Sequence, residues 1–176
     1  MGAIDDFAKE KLVVGLLLGP GAPEGDCLRA LEGVFGPVDY TSTRINFNFT
    51  SYYDAELGTP ITRIFVSFRD PVSPDTLADV KITTNALERE FALAGRRRIN
   101  LDPGTLALSR FVLASTKPSS HRVPLTKGIH AEVELMFEHG AFRPVEWTYA
   151  DYRSPDYLTV LGEIREIYRL QMKSAG

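Results

Sequence analysis

Residues 12–18 are an apolar run broken only by Gly15, and a run of that length reads as a strand buried on both faces. It stops at Gly19-Pro20-Gly21-Ala22-Pro23, which predicts a turn. Beyond it Cys27, Leu28, Leu31, Val34 and Phe35 fall on one stripe of a helix, with Asp26 as its cap and Gly36-Pro37 as its stop. The period then changes. Ile45, Phe47 and Phe49 alternate with Arg44, Asn46 and Asn48, and Ile64, Val66 and Phe68 repeat the alternation on a second strand, each with one wet face. Ser73-Pro74-Asp75 opens another helix, with Leu77, Val80, Thr84, Leu87, Phe91 and Ala94 inward and Gly95 at its end.

Residues 106–114 read as a strand, and residues 129–137 as another with Ala131, Val133, Leu135 and Phe137 inward. His139-Gly140 predicts a hairpin turn into a strand over 142–149. Pro155 begins the last helix, whose inner stripe is Leu158, Leu161, Ile164, Ile167 or Tyr168, and Met172. Strands and helices interleave and then strands cluster. That order predicts an α+β fold, one domain with a mixed or mostly antiparallel sheet and about three helices packed on one face. Residues 1–10 read as a flexible leader and residues 11–176 as the globular domain.

Composition narrows the function more than the fold. A net charge of -3 gives no general attraction for phosphate backbones, so nucleic acid is disfavoured as a partner unless a local basic patch exists. The single cysteine, Cys27, excludes an internal disulfide, and no Cys/His spacing matches a structural zinc site. The first residues mix Asp5, Asp6, Lys9, Glu10 and Lys11, unlike a signal peptide, and no apolar run is long enough for a membrane span. These features lead to the expectation of a cytoplasmic protein without membrane contact.

Two loops concentrate groups able to grip an anion. Residues 96–104 join Arg96, Arg97 and Arg98 to Asn100, Asp102 and a Pro103-Gly104 pair that predicts a tight turn. In that turn Asp102 bonds its own backbone, or it handles a ligand hydroxyl or metal. Residues 117–122 supply Lys117, Ser120, His121 and Arg122, with Lys127 just beyond. His121 has the chemistry of an acid/base near neutral pH, and His121 and Asp102 are the candidate catalytic pair. Arg97, Arg98, Asn100, Lys117, Ser120, Arg122 and Lys127 are the candidate ligand-binding residues. His130, Glu132 and Glu134 share one strand face, which is either a solvated row or a divalent-metal site; no metal is predicted from it. Tyr52, Tyr53, Trp147 and Tyr152 form either an aromatic wall or an interface, with packing under the last helix as the alternative. The turn at residues 19–26 lacks the Gly-Lys-Ser/Thr ending of a phosphate loop, and its prolines remove N–H donors.

The order Asn48-Phe49-Thr50-x-Tyr52-Tyr53, Arg98-x-Asn100-Leu101-Asp102-Pro103-Gly104, Ser120-His121-Arg122, Lys127-Gly128-Ile129 and Trp147-Thr148-Tyr149-x-Asp151-Tyr152-Arg153 resembles the bacterial domain-of-unknown-function family numbered 4416, over nearly the whole chain. The resemblance implies a single-domain protein of about this length and brings no defined activity. Asn48 and Ala150 stand where relatives often carry Asp and Pro, so Asn48 cannot serve as an acid here. Similar proteins are sometimes described as GTP-binding, and Asn100-Leu101-Asp102-Pro103 resembles a segment of the Gpn-loop GTPases, but the Walker-type loop of those enzymes is missing from this sequence.

The reading that follows is a site for a small anionic ligand, a nucleotide or phosphorylated metabolite, with catalysis left open. No cofactor is predicted, with a nucleotide or divalent metal as the open alternatives. The rival is a non-catalytic protein-interaction module or homo-oligomer subunit.

Overall fold

The computed structural model describes residues 4–174. Among them nine strands form one sheet: β1 (Lys11–Leu18), β2 (Val38–Thr41), β3 (Ile45–Phe47), β4 (Ile61–Phe68), β5 (Ile99–Leu106), β6 (Arg110–Ser115), β7 (Val123–Pro124), β8 (His130–Glu138) and β9 (Ala141–Pro144). The helices are α1 (Glu24–Phe35), the single turn α2 (Asp54–Leu57), α3 (Leu77–Glu90) and α4 (Pro155–Ser174). The order across the sheet is β2-β4-β1-β5-β6-β8-β7, with β3 also on β4 and β9 also on β8, and every pairing is antiparallel. The α+β class with a mostly antiparallel sheet is therefore the observed one.

Helices cover both faces rather than the one expected. Leu12, Val14, Leu16 and Leu18 of β1 meet Cys27 and Leu31 of α1 and Val80 and Leu87 of α3. On the opposite face Val13 joins Phe65, Phe111 and Leu135 against Tyr157, Leu161, Ile164 and Tyr168 of α4. An aliphatic run without alternation is what a strand needs when both of its faces are dry. The leader is tied down at its end, because Glu10 is buried, pairs its backbone with Val72 and accepts a 2.5 Å bond from Arg110. Residues 1–3 lie outside the described residues.

Three local expectations are corrected. Helix α1 begins at Glu24, and Asp26 sits inside its first turn rather than capping it. Residues 106–114 are a hairpin, β5 turning at Ala107–Arg110 into β6, with Ala107 donating to the Arg110 carbonyl. Strand β8 carries a bulge: Val112 faces Val133 but Phe111 faces Leu135, so Glu134 is an extra residue. The bulge turns the inward run over. Ala131 packs with Leu77 and Ala78 of α3, whereas Leu135 and Phe137 pack on the α4 side.

Gly15 is the gap in the apolar run, and its neighbours explain it. It lies between Phe65 of β4 and Asp102 of β5, and a Cβ there would stand 2.7 Å from Nη1 of Arg63. Gly15→Ala is expected to displace that guanidinium and lower stability by about 1–3 kcal/mol, read as a lower midpoint in urea.

Candidate functional site

Strands β5 and β6 are paired over only three residues, Gly104–Leu106 with Leu113–Phe111. The first half of β5 stays on β1 alone, while β6 runs on beside β8 to Ser115. The Asp-Pro-Gly sequence accounts for the split and is no turn. Leu101 directs its backbone N–H and carbonyl away from β1, to Glu88 and Lys81. Residue 103, two along, faces the same way, and proline has no N–H with which to continue a ladder. Gly104 then lets β6 close in, since a Cβ would stand 2.4 Å from the Val112 carbonyl.

A cleft of about 680 Å³ occupies the split, a size suited to a small molecule. Helix α3 forms its floor with Lys81, Asn85, Glu88 and Arg89. The backbone freed by the split is satisfied from that floor: Lys81 Nζ donates to the Leu101 carbonyl (2.8 Å), and the Leu101 N–H donates to Glu88 (2.6 Å). Both side chains are buried. Aromatic residues of two loops, among them Phe49, Tyr52, Tyr53 and Tyr149, make the walls.

Arg63 also lines the cleft; it is 2% exposed and held over the faces of Phe47, Phe65 and Tyr157. Its Nη1 donates to Asp102 (2.9 Å), its Nη2 to Asp151 (3.4 Å) and its Nε to the Tyr157 hydroxyl (3.1 Å). Asn100 Nδ2 donates to the other oxygen of Asp102 (2.9 Å). Burial pushes the Asp102 carboxyl up, but Arg63, Lys81 and Asn100 together outweigh it and hold it below the usual carboxylate range. At Asp151 burial wins over Arg63, and the carboxyl is raised. One guanidinium thus presents two carboxyls shifted in opposite senses, the arrangement from which acid and base roles are drawn.

The sequence-predicted residues divide. Asp102, Asn100, Arg97 and Lys117 line the cleft, as do Tyr52, Tyr53 and Tyr152. Arg97 is committed: it grips both oxygens of Glu56 at 2.6 Å, and Glu88 and Asn100 as well, stapling α2 to α3 and β5. Arg98 donates instead to the Gly21 carbonyl in the turn after β1, and Lys127 pairs with Asp79. Arg122 is clamped by Glu132, Tyr149 and the Lys117 carbonyl. Ser120 is exposed and outside the lining. His121 bonds Glu132 through Nε2 (2.9 Å) and Ser119 through Nδ1 (3.0 Å), and stacks on Trp147. Neither His121 nor Trp147 lines the cleft, so the candidate pair His121 and Asp102 is not brought together there.

His130, Glu132 and Glu134 form neither a wet row nor a metal site. Glu132 and Glu134 are buried, the first bonded to His121 and Arg122, the second accepting the Tyr149 N–H at 2.6 Å. Among the described residues no group of three or more His, Cys, Asp or Glu could hold a metal ion.

A model of the family described as Domain of unknown function (DUF4416) matches residues 8–168. The chain belongs to this family. Comparison with curated proteins and with solved structures found no match. Of the five stretches that carry the resemblance, those at 48–53, 98–104 and 147–153 each contribute side chains to the cleft, from distant parts of the sequence. Among the described residues no helix is long and apolar enough to cross a membrane.

Of Arg63, Lys81, Glu88 and Asp151, sequence reasoning notes only Asp151, as an acid beside the aromatics of residues 147–153. A signal existed for the middle two: Lys81 and Glu88 fall on the same helical stripe as Leu77, Val80, Thr84 and Leu87. Charged residues on a buried stripe need partners, and here these are the Leu101 backbone for both and Arg97 for Glu88 as well.

Proposed function

We propose that the cleft between β5 and β6 binds a small anionic molecule, a nucleotide or phosphorylated metabolite. The observation that carries this reading is the cationic side of the cleft. Lys81 is buried with its ammonium bonded to one backbone carbonyl, and among the described residues it makes no ion pair. Arg89 and Lys117, exposed at the mouth, make none either; Lys117 lies 4.3 Å from the centre of the Tyr52 ring. A buried ammonium with two free N–H groups is costly until an acceptor arrives. Tyr52, Tyr53, Phe49 and Tyr149 offer flat apolar surface for a base or sugar ring. Asp102 and Asp151 supply an ionised carboxyl and a protonation-prone one at the same spot, which is what a proton-transfer step would use.

The test separates cleft cations from those spent elsewhere. Arg89→Ala with Lys117→Ala is expected to weaken binding of a nucleoside monophosphate about tenfold or more in titration calorimetry, by loss of two charge-assisted contacts. Arg98→Ala and Lys127→Ala are expected to leave affinity unchanged. Equal loss in both sets would place the anion outside the cleft. A flat titration would favour protein interaction through the exposed rings of Tyr52 and Trp147.

A further inference from the structure

Resting on that anion-site reading, we propose that the ligand presents two neighbouring hydroxyl groups to Asp102 and Asp151, as a sugar phosphate or ribonucleotide does. The two carboxylates are bonded to adjacent nitrogens of one buried guanidinium, so they stand side by side. All three residues line the cleft, but Arg63 is only 2% exposed, whereas 23% of the Asp102 side chain and 12% of that of Asp151 are exposed. Each carboxylate oxygen has lone pairs beyond those that Arg63 and Asn100 use. What the pair seeks is therefore donors.

A cationic donor would have to enter past Lys81, Arg89 and Lys117, so neutral hydroxyls fit the approach better. A second observation points the same way. Tyr152 lines the cleft together with Arg63, Asp102 and Asp151, and its hydroxyl has no hydrogen-bond partner although it is buried. A native structure rarely leaves such a group unmatched, and a ligand hydroxyl would serve it. The cleft is then polarised: cations from α3 and the end of β6 hold the phosphate, and the Asp102–Arg63–Asp151 wall reads the hydroxyls. Binding one hydroxyl between two carboxylates would leave the second acidic group short of a donor. Paired hydroxyls satisfy both.

The experiment uses the whole chain and matched compounds differing by one hydroxyl: AMP and 2'-deoxy-AMP, ribose 5-phosphate and 2-deoxyribose 5-phosphate, glucose 6-phosphate and 2-deoxyglucose 6-phosphate, with inorganic phosphate alongside. A site built to bond a hydroxyl rejects the analogue lacking it. In titration calorimetry the complete member of at least one pair is expected to bind about tenfold or more tightly than its deoxy partner. Asp151→Asn is expected to narrow that ratio to about threefold or less without weakening the binding of inorganic phosphate, from which it removes a like charge; Asp102→Asn serves as the second variant, each checked for an intact fold by circular dichroism. Equal binding within every pair, or binding of phosphate alone, overturns the diol reading and leaves the anion site standing. No binding of any compound, phosphate included, overturns both.

Discussion

Arg63→Ala is expected to cost about 3–5 kcal/mol of folding stability, the loss typical when one partner of a buried ion pair is removed. The guanidinium is almost fully enclosed, bonded to two carboxylates and a phenol, and packed against three aromatic rings. Removing it leaves Asp102 and Asp151 facing each other without a shared cation and opens a cavity beside Gly15. Urea unfolding followed by circular dichroism measures the loss. Arg63→Lys is expected to recover only part of it, because an ammonium cannot donate in the fork that reaches Asp102, Asp151 and Tyr157 together. A loss below about 1 kcal/mol would mean that the two aspartates do not depend on Arg63.

Glu134→Gln is expected to flatten the stability profile between about pH 4.5 and 8. Burial, with Glu132 and Asp151 near it, pushes the Glu134 carboxyl up to about 8 against the lowering effect of the Tyr149 N–H. The folded state therefore prefers the protonated form more than the unfolded chain does. For a carboxyl raised in this way the contribution to stability is full below the unfolded value of about 4.5 and is lost as pH rises through 8. Across that window the wild-type protein should lose about 1 kcal/mol per pH unit relative to the glutamine variant. Above pH 8 the variant should be the more stable of the two. The amide keeps the oxygen that accepts from Tyr149, so the bulge in β8 can stay as it is. Parallel profiles from pH 5 to 9 for the two proteins would show that Glu134 ionises as an exposed carboxyl does.

Much of the frame was legible from periodicity alone. The unbroken run at residues 12–18 is the strand with two dry faces, and Pro155 does open the last helix. His139-Gly140 turns the β8–β9 hairpin with both residues at positive φ, as expected of that pair. Within α4 Leu161, Ile164 and Tyr168 are buried as read, Tyr157 and Val160 join them, and Met172 lies exposed.

The cleft was not legible, for reasons specific to a few residues. Asp102-Pro103-Gly104 has the composition of a turn, but the same residues in a strand end one ladder and admit a close neighbour, and only the partner strands distinguish the two. Glu134 breaks the alternation of β8 by one residue, which no count along a single strand reveals, and Glu132 is buried with it. The arginines drew attention because they are clustered in sequence. Charge clustered in sequence is not charge gathered in space: Arg97, Arg98 and Arg122 each end on a different part of the protein, and the cations left without ion pairs at the cleft come from α3 and the end of β6.

The most direct test of the account is an NMR titration of the isotope-labelled protein with AMP, following backbone amide shifts. The account predicts perturbations converging on the cleft, at residues 50–53, 81–89, 100–102, 114–117 and 149–152, and saturating with a single affinity. Perturbations confined to the turn at residues 19–26 and Arg98, or to the His121–Trp147 stack, would contradict it.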